Sequence, residues 1–201
     1  AIVALVWAAN LYNFMDGSDG LAAGMAICGF GAYGAAATLV GSAWAVHLAL
    51  AAATVPFLVV NLPPARAFMG DVGSVPLGFL AGASGMAGVL DGSWPAWFPF
   101  LVFLPFIADA TVTLLRRLLR GERVVLPHKD HYYQRLHRMG AGHRGTLVCY
   151  GVLMVGTASA AVFTLARQPS AGWAVLAAWA GATGLLFAGI DYHWHKRFSD
   201  R

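Results

Sequence analysis

The chain has 201 residues, of which 59% are hydrophobic and 11% charged, with a formal net charge of +4 and a mean hydropathy of +0.65. Soluble domains carry about 25% charged residues, so this composition excludes an ordinary soluble enzyme and describes an integral membrane protein. No soluble part is large enough to bind nucleic acid, and two lone cysteines in apolar sequence, Cys28 and Cys149, exclude a disulfide framework or a thiolate zinc cluster.

A spanning helix needs about 20 apolar residues. Seven hydrophobic segments, 1–12, 21–41, 44–60, 75–91, 95–115, 145–166 and 172–191, predict an all-α, polytopic transmembrane helix bundle forming a single domain over 1–201. The first segment is partial: it has twelve residues, no initiating Met, no basic region before it and no small-residue cleavage site after it. It is therefore expected to belong to a fragment whose upstream helices are missing, not to a signal peptide. If the segments alternate, the loops 13–20, 61–74 and 116–144 and the tail after 191 share one side. That side holds Arg66, Arg116, Arg117, Arg120, Arg123, Lys129, Arg135, Arg138, Arg144, Lys196, Arg197 and Arg201, and the other holds only Arg167. The positive-inside rule makes the basic side cytoplasmic. Gly78 and Gly82, four residues apart, suit close helix packing in lipid.

The first loop reads Asn13-Phe-Met-Asp16-Gly17-Ser18-Asp19-Gly20. On a helical turn the spacing by three would fan Asn13, Asp16 and Asp19 across one side. Two carboxylates and an amide with no basic neighbour form an acceptor cluster for a divalent cation or a ribose, although Asp and Gly also serve as plain helix caps. The second loop, Asn61-Leu-Pro-Pro-Ala-Arg66-Ala-Phe68-Met-Gly70-Asp71-Val-Gly73-Ser74, sits just before the fourth apolar segment. Its glycines and the helix N-terminus can aim N–H groups at an anion while Asp71 holds a cation, and Phe68 offers a face to a base. Asp109 lies within the fifth segment about two turns before Arg116 and Arg117, so it is expected to mark function or to pair with those arginines. In the basic loop a helix opened by Pro127 would line up His128, His131, Arg135 and Arg138 as a phosphate-binding stripe. An interfacial helix on anionic lipid and, more weakly, a zinc site are the alternatives. The tail Tyr192-His193-Trp194-His195-Lys196-Arg197 reads as an interface anchor.

Asn13-x-x-Asp16-Gly17-x-Asp19-Gly20 and Asn61-x-Pro-Pro-Ala-Arg66-x-Phe68-Met-Gly70-Asp71-x-Gly-Ser resemble the two signatures of the polyprenyl-phosphate sugar-1-phosphate transferases, glycosyltransferase family 4. The loop around His131 is similar to that family's His-rich loop. The resemblance implies transfer of a HexNAc-1-phosphate from a UDP-amino-sugar to undecaprenyl phosphate, releasing UMP, with Mg²⁺ (or Mn²⁺) required. It also implies a multi-pass protein of the bacterial inner membrane with its active site on the cytoplasmic face, embedded in the bilayer and compatible with a homodimer. By motif position Asp71 and Asp16 would hold the metal and act with His131 as the catalytic set. Asn13, Gly17, Asp19, Asn61, Phe68 and Arg135 would contact the sugar nucleotide.

Two departures qualify the resemblance. Family members carry an acidic pair on an earlier cytoplasmic loop, which nothing here supplies, so the fragment by itself is expected to be inactive. His131-Tyr132-Tyr133-Gln134 replaces the His-rich triplet of the muramoyl-pentapeptide branch, which favours the branch initiating O-antigen, capsule or teichoic acid and keeps the muramoyl-pentapeptide branch as the alternative. A cation-coupled transporter, with Asp16, Asp19, Asp71 and Asp109 along a path, is the rival from another class.

Overall fold

The computed structural model describes residues 1–43, 45–123 and 128–198. Every regular element among them is helical: α1 (Ile2–Phe14), α2 (Leu21–Leu39), α3 (Ala45–Asn61), α4 (Gly70–Leu90), α5 (Trp97–Val102), α6 (Leu104–Leu119), α7 (Tyr132–Leu136), α8 (Gly142–Arg167) and α9 (Gly172–Phe198). A π-helical turn, His137–Ala141, joins α7 to α8. Four stretches are long and apolar enough to cross a membrane: Leu21–Leu39, Gly70–Leu90, Tyr132–Arg167 and Pro169–Phe198. The helices α1 and α3 are apolar but shorter.

Helix α2 is the centre of the bundle. It packs on α3 and α8, and Leu21, Ala23, Met25, Ala26, Phe30 and Ala36 are fully buried. Its many Ala and Gly residues let neighbours approach closely, which in lipid substitutes packing for the missing hydrophobic drive between helices. The same logic joins α1 to α4. A side chain at Gly78 would lie 2.5 Å from the Ala8 carbonyl, and one at Gly82 2.7 Å from the Ala8 methyl. Apolar residues such as Val3, Leu90, Leu119 and Leu185 are left exposed on the outside of the bundle, which suits a hydrocarbon surround.

Several expected boundaries move. The fifth segment is two helices, because Pro105 lacks an N–H and its ring opposes the carbonyl four residues back; the chain breaks at Phe103. The fourth helix begins at Gly70, five residues before the apolar run. The last continues to Phe198 and takes in Asp191 and most of the basic tail. The basic-loop helix is the largest correction: α7 covers only Tyr132–Leu136, His128 precedes it, and Arg138 lies in the π turn. Pro127, expected to open that helix, and Arg201 lie outside the described residues.

Candidate functional site

The three loops predicted to share a side converge at one end of the bundle. Helix α1 stops at Phe14, so Asp16 and Asp19 sit in a turn and not on the helical face that their spacing suggested. The two carboxylates then part. Asp19 accepts the Ala65 N–H at 3.0 Å and lies 3.5 Å from Nδ1 of His143, which also meets Ser18 Oγ at 3.1 Å. Asn61, 4% exposed, accepts the Gly20 N–H at 2.9 Å and donates to the Ala67 carbonyl at 2.8 Å. Asp19 and Asn61 thus tie the first loop to the second, and Asp19 ties both to the start of α8.

Asp16 turns the other way, toward Asp71. Gly70 adopts a positive φ of 60°, which glycine tolerates without strain, and its N–H donates to the Asp16 carboxylate. Asp71 follows in the exposed first turn of α4. Burial pushes the Asp16 carboxyl up to about 6; the Gly70 hydrogen bond works against that shift, and the negative charge of Asp71 adds to it. Neither carboxylate has an ion pair among the described residues. Two carboxylates that influence each other without a compensating cation raise each other's cost of ionisation.

Among the described residues no group of three or more His, Cys, Asp or Glu side chains is placed to hold a metal. Magnesium, unlike zinc, is ordinarily held by one or two carboxylates plus water and substrate phosphates. Phe68, 77% exposed, stands three residues before Asp71. Asn13 is half-buried in the last turn of α1.

The basic loop reaches the same place through Asp109. Fully buried in α6, this carboxylate accepts the backbone N–H groups of Tyr132 at 2.9 Å and Tyr133 at 3.0 Å. It also takes the hydroxyls of Thr113 and Tyr150 and lies 3.2 Å from Nδ1 of His131. Such a set satisfies a buried charge. The expected pairing with Arg116 and Arg117 is absent: Arg117 binds Asp130 and Glu122, and Arg116 binds Asp191. Of the four carboxylates of the transporter alternative, Asp109 is thus enclosed by fixed donors.

His131 is 2% exposed and stacks between Phe14 and Tyr133, each with its ring centroid 5.9 Å away. The Tyr133 hydroxyl reaches over Gly17 to donate to the Phe14 carbonyl at 3.0 Å. A Cβ at Gly17 would lie 2.1 Å from the Tyr133 hydroxyl oxygen, so the ring would have to move and give up its hydrogen bond to Phe14. Gly17→Ala is therefore expected to lower stability by about 1–3 kcal/mol through overpacking, read as a fall in thermal midpoint, and to displace His131 from the first loop.

Arg135 is engaged within the protein. Its guanidinium donates to Asp191 at 2.8 Å and to the Asp130 carbonyl at 2.9 Å, and it lies over the rings of Tyr132 and Trp194. Asp191, absent from the sequence-based candidates, gathers Arg116, Arg135 and the Tyr132 hydroxyl. The available signal was a lone acidic residue in the last apolar segment, the same signal that marked Asp109. His128 stands 4.9 Å from His131, ring to ring. Its buried Nδ1 has no hydrogen-bond partner among the described residues, since Asp130 at 3.8 Å is out of reach.

Residues 1–89 match the family model described as glycosyl transferase family 4. The chain is 32% identical to the "Probable undecaprenyl-phosphate N-acetylglucosaminyl 1-phosphate transferase" of Bacillus subtilis (strain 168), over 79% of this chain and 46% of that protein. It is 33% identical to the decaprenyl-phosphate N-acetylglucosaminephosphotransferase of Mycobacterium tuberculosis (strain CDC 1551 / Oshkosh), over 92% of this chain and 53% of the relative. The phospho-N-acetylmuramoyl-pentapeptide-transferase of Moorella thermoacetica is 45% identical over a shorter match, 41% of this chain and 26% of that protein. The chain spans about half the length of the first two relatives. With both signature loops folded against each other, and with relatives of one kind across most of its length, the chain belongs to glycosyl transferase family 4, the polyprenyl-phosphate sugar-1-phosphate transferases.

Proposed function

We propose that the protein transfers an amino-sugar-1-phosphate of the HexNAc type from a UDP-sugar to undecaprenyl phosphate, releasing UMP and initiating a cell-envelope polysaccharide. The reaction takes place at the cytoplasmic face of the bacterial inner membrane. The observation that supports this reading is that Asp16, after α1, and Asp71, in the first turn of α4, are near enough for the charge of Asp71 to raise the Asp16 carboxyl, while neither has an ion pair among the described residues. Phe68 beside them and His131 across the first loop complete the set.

Asp16 and Asp71 would hold Mg²⁺ (or Mn²⁺), which when bound supplies charge neutralisation to a diphosphate. Phosphoryl transfer asks mainly for positioning and electrostatic stabilisation, and the chain's own residues divide that work. Asp19 and Asn61 hold the two signature loops in register. Phe68 offers a solvent-facing ring to the uracil. His131 and His128 bring imidazole nitrogens to the phosphates, and Asp191 keeps Arg135 packed so that α7 holds its place.

The test is release of UMP by the intact protein in detergent, supplied with undecaprenyl phosphate and a panel of UDP-sugars. Release is expected with at least one UDP-HexNAc and is lost on chelation of divalent cations. Release only with UDP-muramoyl-pentapeptide moves the protein to the other branch, and no release from any donor sinks the proposal. Phe68→Ala is expected to raise KM for the sugar nucleotide about tenfold, the equivalent of losing one aromatic stacking contact. Its thermal midpoint should not move, because the ring packs against little of the protein.

A further inference from the structure

The side chain of Asp109 does more than satisfy the start of α7. Its Oδ1 takes the Tyr132 N–H, the Thr113 hydroxyl at 3.2 Å and the approach of His131 Nδ1 at 3.2 Å. Its Oδ2 takes the Tyr133 N–H and the Tyr150 hydroxyl. Backbone amides can only donate, so both oxygens are fixed as acceptors, and the group has no exposure through which water might rearrange them.

Two neighbours compete for His131 Nδ1. One is this carboxylate. The other is the Gln134 backbone N–H, which faces the His131 side chain in a capping box, while the Gln134 side chain accepts the His131 N–H. If Nδ1 were the acceptor, its lone pair would point toward a buried carboxylate 3.2 Å away. If it carries the proton, it forms a charge-assisted hydrogen bond, roughly twice as strong as a neutral one. The carboxylate wins.

We infer that Asp109 is a positioning residue that locks His131 as the Nδ1–H tautomer and fixes the roll of its ring, so that Nε2 alone is presented to the ligand. The stack of Phe14 and Tyr133 fixes the plane of the ring, and Asp109 fixes its rotation within that plane. A histidine acts through one nitrogen according to what its other nitrogen is bonded to. In its protonated form the ring donates from Nε2 to a phosphate oxygen while Asp109 balances the charge. That last clause rests on the proposed function; the tautomer does not.

The experiment is a long-range ¹H–¹⁵N correlation spectrum of the purified, ¹⁵N-histidine-labelled protein in detergent at about pH 8, above the usual titration of imidazole. His131→Gln identifies the His131 signals. The expected result is a single tautomer with the proton on Nδ1. In Asp109→Asn the amide presents its own N–H₂ to one side of the donor set, and the single tautomer is expected to become a mixture. In Thr113→Val, which keeps the carboxylate, it is expected to persist. An Nε2–H tautomer in the unsubstituted protein overturns the inference, as does an unchanged Nδ1–H tautomer in a folded Asp109→Asn variant. The unsubstituted spectrum decides even if that variant does not fold. In the intact protein Asp109→Asn is expected to lower kcat on the order of 10–100-fold, the usual effect of losing a partner that orients a functional imidazole. Titration with inorganic pyrophosphate separates the two proposals: a correct tautomer whose Nε2 does not respond leaves the lock standing and counts against the proposed ligand.

Discussion

Asp71→Asn is expected to abolish metal-dependent release of UMP, by a factor on the order of 10²–10³, the scale of removing one preorganised electrostatic group from a reacting site. The fold should not suffer. Asp71 is exposed in the first turn of α4 and has no ion pair among the described residues. The Asp16 carboxyl is pushed up to about 6 chiefly by burial, and the negative charge of Asp71 adds to that shift.

The sign follows from linkage. A carboxyl whose folded pKa lies above its ordinary value of 3.8 favours the folded state at low pH, and that contribution is lost as the pH rises through about 6. At neutral pH the pair is a liability that a bound cation, or loss of either charge, would relieve. Asp71→Asn should therefore leave the thermal midpoint at pH 7 equal or higher and bring the Asp16 titration down. It should also remove the stabilisation that added Mg²⁺ is expected to give the unsubstituted protein. Full transfer activity in this variant would show that the metal is held elsewhere, and a large fall in midpoint would show that Asp71 is part of the fold.

Asp191→Ala is expected to be the most destabilising of these changes to the bundle itself, by about 3–5 kcal/mol, because it leaves a buried cation without its partner. The Arg135 side chain is 9% exposed and Asp191 16%, and the same carboxylate receives Arg116 and the Tyr132 hydroxyl. The Tyr132 ring lies flat on Phe187 of α9 at 3.8 Å, so loss of Asp191 loosens the whole contact between α7 and α9. At this chain length the change corresponds to a fall in thermal midpoint on the order of 10 °C. Arg116→Ala is the control: its side chain is 40% exposed, and removing a solvent-screened pair of that kind costs at most about 1 kcal/mol. Equal effects from the two variants would mean that burial of Arg135 is not what makes Asp191 necessary.

Some of this architecture was legible in the residues alone. Low charge and long apolar runs demand a helical membrane bundle, because in hydrocarbon every backbone group must be satisfied within its own segment. The loops that alternation assigned to one side do meet, through Asp19 with Ala65, Gly20 with Asn61 and Asp16 with Gly70. Both signature loops could be read because their chemistry is local: a glycine beside a carboxylate at a helix start has the same use wherever it occurs. The break before Pro105 was equally local, but it was masked by an apolar run whose composition is that of one continuous span.

The partners of each polar group were decided elsewhere. Asp16 and Asp19 are three residues apart and look equivalent as sequence, yet one turns to Asp71 and the other to Ala65 and His143. Asp109 lies close in sequence to two arginines and binds neither; apart from Thr113 one turn on, its partners come from residues 131, 132, 133 and 150. Periodicity along a chain reports which faces are apolar, and so it determined the class of fold and which loops carry chemistry. A buried carboxylate takes whichever donors the packed helices bring within about 3 Å. Only the tertiary structure determines which donors those are, and with them which acidic residues are left without an ion pair.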